Sequence, residues 1–265
     1  MAKMSYILVG SLASLGDLDA LETGLRFLKN LGYKGVEFNL TASDLARMDG
    51  ILRLVERIDF PVVSFLTGAN YFGEGLCLSS PRDDVRRKAV DRLLKCTATA
   101  ARFDAVLVVG QMQGFRSDES DVAVAESRIQ DGLRQVAEAA ERHGSTIVVE
   151  PVNHLQCGFH NSLAEVIRLT ERIGSGQLKP MLDSFHMNIE EQSMQEPIQR
   201  VGKDLGHFHL CESTGGLLGS GHLDFGAILG DLDAIDYSGY VSVKVYREPW
   251  ELAARSSMEY LRPFV

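Results

Sequence analysis

The feature that most constrains the fold is an eightfold alternation of short runs rich in β-branched residues with longer amphipathic runs. The long runs repeat apolar residues at helical spacing, as Val85, Ala89 and Leu93 do. The predicted strands are residues 5–11, 35–40, 61–68, 105–111, 146–153, 180–186, 206–213 and 240–246. The predicted helices lie near residues 18–30, 43–58, 82–102, 121–142, 162–173, 188–202, 224–235 and 249–262.

Repeated strand–helix alternation predicts a parallel sheet covered by helices. Eight repeats in 265 residues predict a (β/α)8 TIM barrel of the α/β class. Because no linker or low-complexity stretch divides the chain, we expect residues 1–265 to form one domain. An open doubly wound sheet is the alternative. Neither G-x-G-x-x-G nor G-x-x-x-x-G-K-[ST] follows the first strand, which disfavours a nucleotide-binding sheet.

Charge and cysteine content exclude several classes of function. The formal net charge is −9, whereas a general nucleic-acid binder needs a basic face. No run approaches the roughly 18 apolar residues of a membrane span, and the first apolar run is too short for a signal peptide. The cysteines have no C-x-x-C spacing and are Cys77, Cys96, Cys157 and Cys211. We therefore expect a cytoplasmic protein with reduced thiols and with no nucleic-acid or membrane partner.

Polar residues late in the predicted strands indicate the site, because the strand C-termini build the active site of a TIM barrel. They are Glu150, Asp183, His186, His207, His209 and Lys244. Period-two alternation allows Glu150, Asp183, His209 and Lys244 all to face one axis. Each alone has a plainer interpretation, as a solvated strand end or a hydrogen-bonded core histidine. Two carboxylates and an imidazole at matching depth instead predict a site for Mn²⁺, Mg²⁺, Co²⁺ or Zn²⁺.

Other polar residues are weaker candidates for contacts with a ligand. Glu37 ends the second predicted strand, and Asn153 follows Glu150 closely. The glycine-rich loop 213–226 carries His222 and Asp224 at its far end. These positions predict substrate contacts, with surface or structural roles as the alternative.

Several stretches resemble the motifs of the sugar isomerase/epimerase superfamily, whose members have a xylose-isomerase-like barrel. They are VVEPVN, LDSFHMNIEE, HFHLCES and GHLDF. The similarity extends to residues 68–93 and so covers most of the chain. The branch that it resembles most is that of the ketose 3-epimerases, which act on sugars such as D-tagatose and D-psicose.

The resemblance implies a metal-assisted mechanism. Members hold one divalent ion with a Glu, an Asp, a His and a second Glu, and Glu150, Asp183 and His209 match the first three. The ion would act as a Lewis acid that stabilises an enediolate. The two glutamates would remove and return a proton on opposite faces of a small sugar. His186 matches a substrate contact near the carbonyl, and the family implies a homodimer or homotetramer.

The departures from the family pattern fall at the predicted site. Lys244 stands where the family has its second glutamate. The family commonly reads N-R-x-E after the first glutamate, whereas here Asn153 is followed by His154, Leu155 and Gln156. The residues that we expect to contact the substrate are His186, Glu37, Asn153, Gln156 and His222. The loop 213–221 contains no arginine.

Lys244 leaves several interpretations open. It could weaken metal binding, or its ammonium could pair with Glu150 and Asp183 and stand in for the metal. It could have a lowered pKa and act as a base, or it could extend to solvent at the barrel mouth.

Three functions follow from these alternatives. The first is a sugar isomerase or epimerase that transfers a proton beside a carbonyl, with Glu150 as base and Lys244 as second acid/base or electrostatic partner. The second is a lyase that performs β-elimination on a keto-sugar or keto-glycoside and needs only one base. The third is a catalytically inactive sugar-binding or partner subunit of the same fold.

Overall fold

Parallel strands follow one another in chain order around a barrel. The computed structural model describes residues 2–10 and 15–265. The strands are β1 (Lys3–Leu8), β2 (Val36–Asn39), β3 (Val62–Leu66), β4 (Val106–Val109), β5 (Ile147–Val149), β6 (Leu178–Pro180), β7 (Leu182–Asp183), β8 (Phe208–Cys211) and β9 (Tyr240–Lys244). β6 and β7 are two halves of one strand separated by Met181. Because β6 pairs with β5 and β7 pairs with β8, the sheet closes through this strand. The predicted TIM barrel is confirmed.

Helices connect the strands on the outside of the barrel. They are α1 (Leu18–Leu31), α2 (Ala42–Leu45), α3 (Met48–Ile58), α4 (Ala69–Glu74), α5 (Asp83–Arg102), α6 (Val122–His143), α7 (Leu163–Ile173), α8 (Ser184–Glu190), α9 (Gln195–Val201), α10 (Phe225–Ala234) and α11 (Trp250–Leu261), with 3₁₀ turns at Gln111–Gln113 and Gly202–Asp204. Sequence and structure agree clearly at α7, where Ser162 and Glu165 form the capping box that the sequence indicates. No helix in the described part of the chain is long and apolar enough to cross a membrane.

Several predicted elements differ from the structure, and one of them is the predicted helix 43–58, which is two helices, α2 and α3. The predicted strand 180–186 ends at Asp183, because the Asp183 side chain accepts the Phe185 N–H at 2.8 Å and caps α8. His186 therefore lies on a helix. The predicted helix 188–202 is two helices, since the backbone at Glu191 is extended. The predicted strand 5–11 spans Lys3–Leu8, and its predicted end at residue 11 lies outside the described residues.

The barrel interior has an apolar side and a polar side. Val108, Val148 and Met181 form a buried cluster inside the barrel, separate from the large core between strands and helices. The side formed by β1, β2, β8 and β9 carries buried polar residues, which are Ser5, Glu37, His207, His209 and Ser242. Because buried polar groups need hydrogen-bond partners, we expect the side chains on this side of the barrel to form a hydrogen-bond network.

Candidate active site

A pocket opens at the C-terminal ends of the strands, where a TIM barrel has its active site. Its volume is about 290 Å³. The lining residues are Ile7, Val9, Asn39, Leu66, Thr67, Gly68, Ala69, Phe72, Val108, Gly110, Gln111, Glu150, Lys244 and Tyr246. Glu150 and Lys244 are thus the carboxylate and the ammonium among the residues that line the pocket.

Two buried carboxylates lie at the floor of this mouth. Glu150 directly follows β5, and its N–H donates to Val109 O at 3.0 Å, which continues the sheet pairing. Asp183 ends β7 and is level with His209 in the sheet register. Both carboxylates are almost inaccessible, at 2 % and 0 % exposure. Burying such charges is costly unless they are paired.

Lys244, the last residue of β9, supplies a positive charge at this point. Its Nζ lies 2.9 Å from Asp183 Oδ2 and 3.6 Å from Glu150 Oε1. Lys244 is only 6 % exposed, and Nζ lies 5.3 Å from the Tyr246 ring centroid. The interpretation in which this lysine extends to solvent is therefore wrong, because two carboxylates hold its ammonium at the pocket floor.

The pKa values at the pocket floor follow from this pairing. Burial would raise the pKa of Glu150, but the Lys244 ammonium and the His209 and His186 rings outweigh it and lower the pKa to about 2. The same causes hold the pKa of Asp183 well below its usual value. Burial would lower the pKa of Lys244, but Asp183 and Glu150 hold it well above its usual value. One interpretation of the sequence required a lowered pKa for Lys244, and this arrangement raises that pKa instead.

His209 connects the pocket floor to a second carboxylate beneath it. Its Nδ1 lies 3.2 Å from Glu150 Oε1 and 3.5 Å from Asp183 Oδ2, and its Nε2 lies 3.2 Å from Glu37 Oε2. Burial would lower the pKa of His209, but the Glu37 charge and hydrogen bonds to the three carboxylates raise it well above its usual value. The ring therefore donates a hydrogen bond on both sides.

Glu37 lies in a closed hydrogen-bonded cluster rather than in the pocket wall. It is 0 % exposed. Its Oε1 is hydrogen-bonded to His207 Nε2 and accepts from Ser242 Oγ. Burial would raise the pKa of Glu37, but His207 and His209 hold it well below its usual value. This geometry offers no free oxygen of Glu37 to a ligand, in contrast to the contact expected from its position at a strand end.

His186 is held in one tautomer by Asn153. Asn153 Oδ1 accepts the Leu155 N–H at 3.1 Å, so its Nδ2 is the atom that lies 2.7 Å from His186 Nδ1. Because the amide donates to Nδ1, the ring proton is on Nε2. His186 Nε2 is buried without a hydrogen-bond partner, 3.7 Å from Glu150 Oε1 and 3.9 Å from Asp183 Oδ2. The structure thus presents one unpaired N–H donor at the pocket floor.

The remaining predicted contacts are not among the residues that line the pocket. Gln156 is half-buried in the loop after β5. His222 is exposed, and its ring is hydrogen-bonded to Asn188 Oδ1 at 3.0 Å and Ser213 Oγ at 3.2 Å. Asp224 caps α10 through the Ala227 N–H.

Several pocket residues were not predicted. Asn39, Thr67 and Gln111 line the pocket, and each lies at the end of a strand or within two residues after it. The rule that selected Glu150 would have selected them too. Tyr246 and Phe72 carry no such signal, because an aromatic residue in a strand or helix is usually part of a core.

Two groups of described side chains have the composition of a divalent-metal site, with ligand atoms within 4.8 Å of one another. They are Glu37, His207 and His209, and Glu150, Asp183 and His186. The first is closed by its own hydrogen bonds. In the second, His186 presents a protonated nitrogen, which is not a ligand. His209 Nδ1 lies beside the same carboxylates, so the predicted ligands Glu150, Asp183 and His209 do converge. This nitrogen also carries a proton here and would have to lose it to bind a metal.

Lys244 opposes a divalent ion at this point. Its Nζ already contacts Asp183 Oδ2 at 2.9 Å. A unit charge pair about 4 Å apart at an effective dielectric constant of 20 is worth about 4 kcal/mol, so a dication and an ammonium repel by about 8 kcal/mol. The residues present therefore do not fit a divalent ion while Lys244 keeps this position.

The curated relatives of the chain are sugar epimerases. It is 36% identical to L-ribulose 3-epimerase of Mesorhizobium japonicum over 120 residues, which are 45% of this chain and 40% of that protein. It is 30% identical to D-psicose 3-epimerase of Agrobacterium fabrum over 173 residues, 64% of this chain and 60% of that protein. It is 32% identical to 3-dehydro-D-guloside 4-epimerase of Escherichia coli over 136 residues, 51% and 52% of the two chains. The matched part thus spans about half the length of these relatives.

Solved structures share the fold over the whole chain. The apo form of 3-keto-D-glucoside 4-epimerase from E. coli superposes with a TM-score of 0.85 at 21% identity, covering 99% of this chain and 100% of that one. D-allulose 3-epimerase from Methylomonas sp. superposes with a TM-score of 0.83 at 19% identity, covering 100% and 98%. A family model described as a xylose isomerase-like TIM barrel matches residues 25–264. The chain therefore belongs to the xylose isomerase-like TIM barrel family.

Proposed function

We propose that the chain is a sugar epimerase or isomerase of the ketose 3-epimerase type, which transfers a proton at the carbon next to the carbonyl of a ketose or keto-sugar. The observation that carries this proposal is the meeting of the Glu150 carboxylate and the Lys244 ammonium at the floor of a sugar-sized pocket. The names of the relatives support the substrate class, since they act on ketoses and on glycosides oxidised at one carbon.

Glu150 is the proposed base. Its carboxylate accepts the proton from the carbon beside the carbonyl, and the bonding electrons move to the carbonyl oxygen to form an enediolate. A carboxylate with a pKa of about 2 is a weak base. A substrate oxygen that binds the Lys244 ammonium weakens its pairing with Glu150, which raises the basicity of Glu150 when the proton must move.

Lys244 and His186 are the proposed partners of the substrate oxygens. The ammonium lies where negative charge develops on the former carbonyl oxygen, and such preorganised charge is often the largest contribution to catalysis. The unpaired His186 Nε2–H offers a second donor at the same depth. Asn153 acts through His186, because it fixes the tautomer that donates.

A lyase is the second candidate, and one distance favours it. Epimerisation through two groups requires one on each face of the reacting carbon, each within about 3–3.5 Å of it. Glu150 Oε1 and Lys244 Nζ are only 3.6 Å apart, which leaves no room for a carbon between them without movement of the lysine. In β-elimination, Glu150 alone removes the proton, the bond to the β-oxygen breaks, and Lys244 or water protonates the departing alkoxide.

The divalent ion predicted from the resemblance, Mn²⁺, Mg²⁺, Co²⁺ or Zn²⁺, would use Glu150, Asp183 and His209 with Lys244 moved aside. When bound, it would supply Lewis-acid polarisation of the carbonyl. No step described above depends on it.

Deuterium incorporation from D₂O tests the proposal. The protein is incubated with D-psicose, D-tagatose, L-ribulose and 3-keto-glucosides, with and without added Mn²⁺, and the products are analysed by NMR. We expect deuterium at the carbon beside the carbonyl. An epimer as product selects the first candidate, and loss of a leaving group selects the lyase.

The Glu150→Gln variant tests whether Glu150 is the base. It preserves size and removes the base, so exchange should fall about 10²–10⁴-fold. Glu138→Gln, the same change on the exposed face of α6, should exchange at the wild-type rate. Absence of exchange with every substrate, with and without Mn²⁺, contradicts the proposed function.

A further inference from the structure

We propose that the Lys244 ammonium is the permanent cation of this site and that proton transfer here is independent of a divalent metal. This inference rests on the proposed function for its catalytic part only. Its structural part, that Lys244 occupies the space in which an ion would be held, is tested by metal binding alone.

The carboxylates offer few oxygens to a cation. Asp183 Oδ1 accepts the Phe185 N–H at 2.8 Å and is committed to the start of α8. Asp183 Oδ2 is therefore the oxygen that faces the pocket floor, and Lys244 Nζ contacts it at 2.9 Å. Glu150 Oε1, the second converging oxygen, lies 3.6 Å from the same Nζ. The ammonium thus occupies the point at which both carboxylates converge.

The fold holds the ammonium at this point. Lys244 is a paired residue of β9, level with Cys211 of β8, so the sheet fixes its backbone. The Tyr246 ring, 5.3 Å from Nζ, adds a cation–π contact. Tyr246 is itself positioned by its N–H, which donates to Gly215 O at 2.9 Å. The lysine is therefore supported from both sides rather than left free at the mouth.

An ammonium here can take over the electrostatic task of a metal. It has three N–H donors, so two can face the carboxylates while the third faces the pocket that Lys244 lines. That donor can stabilise the developing oxyanion as a metal would. One residue can thus pair the two carboxylates and supply positive charge to the substrate.

Mn²⁺ binding tests the structural part. After treatment with a chelator and dialysis, the wild-type protein should contain no stoichiometric metal by elemental analysis, and added MnCl₂ should leave its Tm unchanged. Lys244→Glu replaces the cation by a fourth ligand, a third carboxylate, so it should bind about one equivalent of Mn²⁺ and gain several degrees in Tm. Lys203→Glu makes the same charge change on an exposed 3₁₀ turn and should behave as the wild type.

The wild-type measurements decide the inference even if Lys244→Glu does not fold. One equivalent of Mn²⁺ bound to the wild type with a raised Tm overturns it, as does exchange that a chelator abolishes and Mn²⁺ restores. Exchange that is unchanged by the chelator supports it. If no substrate exchanges at all, the proposed function fails, while the Mn²⁺ titration still decides whether Lys244 excludes the ion.

Discussion

Two carboxylate clusters lie one above the other in this barrel and share His209. In the lower cluster, Glu37 is bonded to His207, His209 and Ser242, all on strands or beside them. In the upper cluster, Glu150 and Asp183 face Lys244 and the pocket. The lower cluster is closed, whereas the upper one opens to a space of about 290 Å³.

The difference indicates what each cluster does. Both oxygens of Glu37 have partners of fixed position, so the lower cluster resembles a fully satisfied polar core, which rigidifies a fold. The upper cluster retains an unpaired N–H on His186. An unpaired buried donor costs about 1–3 kcal/mol of stability. The cation of the upper cluster, the Lys244 ammonium, is carried on a flexible four-carbon side chain. These features do not favour stability, but they leave N–H donors that can bind the oxygens of a substrate.

Removing the lower carboxylate is the largest perturbation. Glu37→Leu leaves two buried histidines without their acceptor, and breaking a buried pair in this way costs about 3–5 kcal/mol. We expect Tm to fall by about 10 °C, measured by calorimetry. Glu138→Leu, on the exposed face of α6, should cost little. A Tm within about 2 °C of the wild type would show that the lower cluster is not structural.

The sequence predicted the upper cluster better than the lower one. Glu150, Asp183 and Lys244 each follow apolar residues at a strand end, and the barrel rule brings strand ends together. The pairing of Glu37 with His207 depends on strand stagger around the closed barrel, which alternation within one strand does not encode. Whether Lys244 points outwards or towards Asp183 depends on side-chain rotamers and local charge, so the sequence left several interpretations open.

Removing the cation of the upper cluster should lower activity more than stability, the opposite of the effect expected for Glu37→Leu. Lys244→Met keeps the stem and deletes the charge, so exchange of the best substrate should fall about 10²–10³-fold. Stability should fall by only about 1–2 kcal/mol, because pocket water reaches Glu150 and the loss of the ammonium allows a carboxylate to bind a proton. Rate and Tm are measured on the same preparation. A loss of stability equal to that of Glu37→Leu would remove the distinction between the clusters.

A smaller perturbation displaces the base without changing any charge. A Cβ on Gly110 would lie 2.8 Å from Glu150 Oε2 and 2.8 Å from Val152 Cγ2, so Gly110→Ala must shift the carboxylate. Since misplacement of about 1 Å can cost about 10²-fold, we expect about a tenfold lower exchange rate at saturating substrate. Gly230→Ala has open space at its Cβ and should retain the wild-type rate. An unchanged rate in Gly110→Ala would argue against Glu150 as the base.

The smallest effect concerns a buried carboxylate outside both clusters, Glu212, which is held by the backbone rather than by a cation. It accepts N–H groups of Ser213 at 2.8 Å and Gly219 at 3.0 Å and so organises the loop beside the mouth. Burial would raise the pKa of Glu212, but hydrogen bonds from the Ser213 N–H and hydroxyl and from the Gly221 and Leu223 N–H groups outweigh it and lower the pKa.

Glu212→Gln should therefore cost about 1 kcal/mol, because the amide oxygen can still accept some of these bonds. Because the pKa of Glu212 is lower in the folded state, its charged carboxylate stabilises the protein at pH values above the unfolded-state pKa of about 4.3. This stabilisation is lost as the pH falls through the folded-state pKa. The Tm difference between the wild type and Glu212→Gln should thus be constant near neutral pH and shrink below about pH 4. A Tm difference that stays the same in acid would mean that the loop depends on the shape of the Glu212 side chain and not on its charge. Glu212 would then differ from the carboxylates of both clusters, which are paired as charged groups.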